Sequence, residues 1–195
     1  MIEKIDTVPV TISSVGYASV CFPFAVTIPD GVTAFYATKA QDGKVYLESY
    51  EGIIPAKTGA IIKGDAGEHK FVITTDAGTG ATTILNGATA ERTGFESGAI
   101  YGLGATSAGK AALMKSTIDC IAANKAYMMA TEIPSSEQQV SAFDFTYGGV
   151  VDGIESATTS LAADKEVYYN LQGQRVLYPT TGIYVTASGQ KVFIK

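Results

Sequence analysis

VTAFYATKAQDGKVYLESY, residues 32–50, carries the clearest structural signal in the chain. Asp42-Gly43 sits between two runs rich in Val, Thr, Phe and Tyr, and both turn residues tolerate the positive φ that a tight hairpin demands. The spacing predicts antiparallel strands over residues 32–40 and 44–50. In the second strand Val45 and Leu47 share one face, while Lys44, Tyr46, Glu48 and Tyr50 share the other, the period-two pattern of a half-buried strand.

The same grammar extends outward. Turn signals recur about every ten residues, a rhythm that favours an all-β sandwich or barrel. Residues 8–24 read as one or two strands, and Ile28-Pro29-Asp30-Gly31 reads as a turn. Residues 60–63 and 68–74 flank Gly64-Asp65-Ala66-Gly67 and are expected to form a second hairpin. Residues 76–83 read as a Gly/Ala/Thr loop, and Asn86-Gly87 as a further turn. The segments IPAKTGAII (54–62) and IAANKAYMM (121–129) resemble each other weakly, each a short connection followed by an apolar strand.

These signals divide the chain into a body (1–148), a linker (149–165) and a C-terminal appendage (166–195). The body is expected to be an antiparallel β-sandwich or barrel-like fold. The linker is rich in small and polar residues, with one helical turn expected near 160–165. The appendage, EVYYNLQGQRVLYPTTGIYVTASGQKVFIK, alternates apolar and polar positions around Gly173 and Gly189 and predicts a short β-meander. Thirty residues are too few to hold a core alone, so this ribbon is expected to dock.

Composition narrows the function. With 14 Lys+Arg against 19 Asp+Glu the formal charge is −5, and the cations are scattered. Nucleic acid is disfavoured, because phosphate binding needs clustered Lys and Arg. No run approaches the ~20 apolar residues of a membrane span. Charged residues are only 17%, replaced by Gly, Ala, Thr and Ser as in many extracellular β proteins. An extracellular or cell-surface location is expected, its signal peptide lying outside this sequence. Whether Cys21 and Cys120 are bridged stays open, since spacing does not supply bond geometry.

Catalytic motifs fail on their particulars. GATSAGKA (104–111) has phosphate-loop spacing, but Ala111 stands where Ser or Thr should ligate Mg²⁺, and the flanks read as strands. His69 is the single histidine and starts a strand without a recognisable nucleophile motif. It leaves too few nitrogen ligands for the commoner zinc sites, and no acidic run has calcium-loop spacing. No cofactor, metal site or catalytic residue is expected. Asp144, between Phe143 and Phe145, fits an ordinary half-exposed strand.

The aromatic residues give the best binding signal. Tyr46 and Tyr50 are expected on the wetter face of their strand, with Tyr36 across the hairpin. Such a row can stack on sugar rings, each ring offering an apolar face and a hydroxyl, or it can simply steady the hairpin.

Two resemblances add to this. The residues YYNLQGQRV (168–176), GIYV (182–185), GQKV (189–192) and Lys195 resemble the carboxy-terminal segment of exported Bacteroidetes proteins, a sorting module of the type IX secretion route. The body segments GYASVCFPF (16–24), IPDGV (28–32), GIIPA (52–56) and NKAY (124–127) are similar to uncharacterised surface proteins of the same bacteria. The resemblance implies surface display and assigns no chemistry to any residue. The expectation is therefore a non-enzymatic secreted or surface module for adhesion or assembly, its partners other surface proteins or glycans. A glycan-binding module using Tyr36, Tyr46 and Tyr50 is the alternative, and a carboxylate-based hydrolase the third.

Overall fold

Asp42 and Gly43 take φ of 53° and 68°, so the decisive hairpin closes through a two-residue turn with both residues left-handed. In the computed structural model its arms are β4 (Thr33–Gln41) and β5 (Lys44–Ser49), with a bulge between Ala37 and Lys39. The described residues are 6–148 and, beyond them, the strands Tyr168–Tyr169, Arg175–Val176, Gly182–Thr186 and Lys191–Ile194.

Before the hairpin come β1 (Thr7–Ile12), β2 (Tyr17–Val20) and β3 (Ala25–Thr27). After it come β6 (Ile53–Ile54), β7 (Ala60–Lys63), β8 (Gly67–Thr74), β9 (Leu85–Ala88) and β10 (Arg92–Thr93). Then follow β11 (Ile100–Ala105), β12 (Ala111–Lys115), β13 (Cys120–Ile121), β14 (Lys125–Met129) and β15 (Ala142–Tyr147), with one 3₁₀ turn at Ala130–Glu132. The protein is all-β, as the sequence predicts.

Nine strands form one sheet in the order β2-β7-β4-β5-β15-β12-β11-β14-β9. It curls into a nearly closed barrel: β2, at one edge, returns to β14 beside the other, and the Cys21 amide donates to the Asn124 carbonyl (3.1 Å). A second, antiparallel sheet runs β1-β8-β3-β6, and β10 pairs with β13. Pairing in the barrel is antiparallel except where β15 runs parallel to β5.

The barrel is built twice over. Pairings β2–β7, β7–β4, β4–β5 and β3–β6 recur as β9–β14, β14–β11, β11–β12 and β10–β13. Details recur as well. Val32 N–H donates to Pro29 O (3.2 Å) as Ala99 N–H does to Glu96 O (3.0 Å), each turn with a glycine, Gly31 or Gly98, at φ 79°. Tyr50 N–H donates to Ala34 O (2.9 Å) as Ser116 N–H does to Ile100 O (2.8 Å). Lys57 (φ 60°) and Asn124 (φ 61°), aligned in the two similar segments, make the same left-handed turn before β7 and β14. The repeats part at their ends. β8 leaves for the second sheet, whereas β15 inserts between β12 and β5 and joins the halves.

β7 shows why a barrel and a sandwich coexist. Ile61 and Ile62 are both fully buried, pointing to opposite faces. Ile61 packs inside the barrel with Phe35, Leu47, Tyr101, Leu113, Met128 and Phe143. Ile62 packs between the sheets with Ile12, Phe22, Val26, Ile54 and Phe71. Burying such a side chain contributes about 1.5–3 kcal/mol, so one strand anchors two cores.

Two local expectations are corrected. Residues 60–63 and 67–74 are strands but not a hairpin: both edges of β7 are taken by β2 and β4, and β8 pairs with β1 and β3. Gly64 turns the corner between the sheets, its N–H donating to Gly16 O at 3.1 Å. Asn86-Gly87 is not a turn but part of β9. Gly87 is there for close approach, because a Cβ at that position would run into the Cys21 sulfur and come within 3.1 Å of Lys57 O.

The chain divides into two compact units, residues 1–152 and 153–195. The second contains an antiparallel four-stranded sheet, β17-β16-β18-β19, of β16 (Tyr168–Tyr169), β17 (Arg175–Val176), β18 (Gly182–Thr186) and β19 (Lys191–Ile194). The expected linker at 149–165, its helical turn and the turns at Gly173 and Gly189 lie outside the described residues.

Candidate functional site

The three tyrosines of the first hairpin do not form one row. Tyr50 is only 7% exposed, a correction to its expected place on the wetter face. It lies at the end of β5, where its N–H is tied back to Ala34, and its ring packs into the core between the sheets. Tyr36 stacks on it at 5.1 Å between centroids, tilted by 55°, and donates its hydroxyl to Glu48 Oε2 (2.6 Å). The two border a cleft of about 400 Å³ with Glu51, Thr79 and Thr82. Tyr46 stands apart from that cleft, with the Lys39 ammonium 4.4 Å from its ring centroid. Hairpin steadying accounts for the pairs; only Tyr36 and Tyr50 come together at a concave surface.

A second aromatic group occupies one mouth of the barrel. Along β15, Phe143, Phe145 and Tyr147 point the same way, from a fully buried Phe143 to a Tyr147 that is 42% exposed. Tyr17 opens β2 at the same end, and its hydroxyl shares a short hydrogen bond with that of Tyr147. Tyr17 meets Phe145 at 5.5 Å between centroids, and Tyr147 meets Phe35 at 5.0 Å. Lys63, ending β7 opposite Tyr17 in register, holds its ammonium 5.1 Å from the Tyr147 ring and 5.8 Å from that of Tyr17.

Grooves surround this shelf. One of about 500 Å³ runs past Lys63, Asp65 and Thr33, and one of about 400 Å³ past Lys110 and Asp144; both contain Tyr17 and Tyr147. A third, about 500 Å³, leads from Tyr17 along Thr11, Ser13, Gly102 and Lys125. Flat aromatic faces, a cation and nearby carboxylates and hydroxyls suit a ligand with both apolar C–H faces and hydroxyl groups. Burial, the shared hydrogen bond and the adjacent Tyr17 oxygen push the Tyr147 phenol well above its ordinary pKa, so it stays neutral.

Sequence reasoning missed this shelf because Tyr17 and Tyr147 are 130 residues apart and meet only when the barrel curls. A signal was present. Phe143, Phe145 and Tyr147 repeat at period two, marking one aromatic face that must emerge where the strand ends.

The remaining candidates take ordinary roles. GATSAGKA spans the β11–β12 hairpin, closed by Thr106 N–H to Lys110 O (2.8 Å). His69, in β8, places Nε2 2.8 Å from the Asp65 carbonyl. Asp144 is exposed on β15 and borders the Lys110 groove. Both thiols are free, and burial raises the pKa of Cys21. Among the described residues no group of three or more His, Cys, Asp and Glu could hold a metal ion, and no helix is long and apolar enough to cross a membrane. No protein-family model, curated protein or solved structure matches this chain.

Proposed function

We propose that this chain is a non-enzymatic adhesion module, secreted or held at the cell surface, that grips glycan-bearing partners at the barrel mouth. The observation that supports this is the Tyr17–Tyr147–Lys63 shelf: two phenol rings fixed against each other, one of them open, beneath a lysine and beside grooves lined with hydroxyls and carboxylates. A sugar ring stacks its C–H face on such a surface and turns its hydroxyls to the rim.

Adhesion is favoured over assembly by strand addition. Strand addition needs an open edge with free N–H groups. In the two larger sheets of the body, the edge β1 has Pro9 at its middle, where no N–H exists, the edge β2 is curled back toward β14, and the edges β6 and β9 are only two and four residues long. The four-stranded tail is read as the export or attachment device, in keeping with its resemblance to a sorting module.

Beads coated with the protein should adhere to surfaces bearing bacterial or host polysaccharide. Tyr147→Ala should abolish adhesion while leaving the fold intact. Equal adhesion by the variant would remove the barrel mouth from the function. In cells, deleting residues 166–195 should abolish surface display; undiminished display would remove the tail from attachment.

A further inference from the structure

We propose, resting on the adhesion reading above, that the glycan gripped at the barrel mouth is acidic. Its uronic-acid carboxylate pairs with the Lys63 ammonium while its C–H face stacks on Tyr147.

The fold itself does not call for a lysine here. Ser19 pairs with Ile61 as Leu85 pairs with Met128, at matching positions of the two repeats. Two residues further out on the same faces, Tyr17 and Lys63 fall where the second repeat has Thr83 and Ala130. There Thr83 Oγ1 accepts the Ala37 and Leu85 N–H groups at 3.2 and 3.1 Å, and Ala130 packs on the barrel core. One copy of the scaffold thus closes with threonine and alanine. The tyrosine and the lysine are additions to the end where Tyr147 emerges.

The ammonium is also placed for a ligand. Lys63 is exposed, yet its Nζ stands 5.1 Å from the Tyr147 ring centroid and 5.8 Å from that of Tyr17. Among the described residues no carboxylate forms an ion pair with it. A lysine ammonium is strongly hydrated. A sugar stacked on Tyr147 strips water from it, which is costly unless a negative group takes the water's place. A hydroxyl offers only a dipole there, whereas a carboxylate supplies a full counter-charge.

The surroundings agree in sign. The three grooves that contain Tyr17 hold one lysine each, Lys63, Lys110 and Lys125, against two carboxylates, Asp65 and Asp144. The whole chain has the opposite balance, 14 Lys+Arg to 19 Asp+Glu, so the mouth is locally cationic on an anionic protein. An organic cation is disfavoured, because Lys63 already stands at the ring faces where one would bind. Among the described residues no arginine lines these grooves, so the fork that suits sulfate or phosphate is missing. A point charge suits a single carboxylate, and Asp65 and Asp144 can accept the sugar's hydroxyls.

The test is a calorimetric titration of the full-length chain with oligomers of galacturonate, glucuronate and mannuronate, each as the free acid at neutral pH and as its methyl ester. At least one acid should bind about five- to tenfold more tightly than its ester, less so as salt rises. Lys63→Met keeps an apolar stem beside the rings and should bring the acid down to the level of the ester. Lys39→Met, which strips the lysine from the Tyr46 ring away from the mouth, should keep the preference. Tyr147→Ala should lose acid and ester alike. The proposal is overturned if no acid binds better than its ester, if Lys63→Met retains the preference, or if Tyr147→Ala binds the acid as wild type. The adhesion reading survives the first two results if glycans of other kinds bind and Tyr147→Ala abolishes that binding. It falls too if folded wild type binds no glycan of either kind.

Discussion

Tyr17 and Tyr147, from strands four places apart in the sheet order, share a hydrogen bond across the mouth of the barrel. The contact links the start of the first repeat to the strand that joins the two halves. It therefore fixes the shape of the mouth and the attitude of both rings.

Tyr147→Phe separates these roles. It removes the hydrogen bond and keeps the ring, so stability in urea should fall by about 0.5–1.5 kcal/mol while stacking of a ligand survives. Loss of ligand binding equal to that of Tyr147→Ala would mean that the hydroxyl, not the ring, is the recognition element.

Alkaline pH should report on Tyr50. Burial, with the neighbouring Tyr36 oxygen second, raises its pKa to about 12, against about 10 when unfolded. The folded state then keeps a proton that the unfolded chain has lost. Stability from this group is complete below pH 10 and declines as pH rises toward 12, by up to about 1.4 kcal/mol per pH unit. Tyr50→Phe should flatten that limb of the stability–pH curve. It should also leave the ligand-free protein at neutral pH as stable as wild type or more so, since the hydroxyl it deletes is unpaired. An unchanged alkaline slope would contradict this placement of Tyr50.

The hairpin turn has a clamp from far along the chain. Glu137 accepts the Asp42 and Gly43 N–H groups through Oε1 and Oε2, each at 3.0 Å. Removing this paired charge acceptor with Glu137→Ala should cost about 1–3 kcal/mol and raise hydrogen exchange at both amides. Unaltered exchange there would show that the turn holds without it.

Gly87 tests the tie between the two repeats. Gly87→Ala forces a methyl against the Cys21 sulfur and the Lys57 carbonyl, and should destabilise by about 1–3 kcal/mol. Adding Cys21→Ala removes the sulfur but not the carbonyl, so denaturant melts should show partial rescue. Strict additivity of the two changes would place the strain elsewhere.

Local chemistry explains which parts of this fold the sequence made legible. Asp42-Gly43 specifies its own turn, and the alternation of Val45 and Leu47 specifies its buried face, so the β4–β5 hairpin and the all-β class could be read directly. The partner of β8 could not. Gly64 to Gly67 turns the chain as any hairpin loop would, but Ile61 and Ile62 bury both faces of β7, and its edges go to β2 and β4. The likeness of residues 54–62 to 121–129 was visible yet weak, because what the repeats share is strand pairing and a left-handed residue, Lys57 or Asn124, more than side chains. Tyr36 and Tyr50 were found as neighbours, but Tyr50 was misplaced outward because its backbone bond to Ala34 carries the ring into the core. The barrel mouth was out of reach, its parts drawn from four strands by closure.

The most direct measurement is a glycan array probed with the full-length wild type and Tyr147→Ala, with circular dichroism confirming that both are folded. Wild type should bind a defined subset of glycans, and the variant should lose that subset. Absence of binding by folded wild type, or the same pattern from both proteins, would contradict glycan recognition at the barrel mouth.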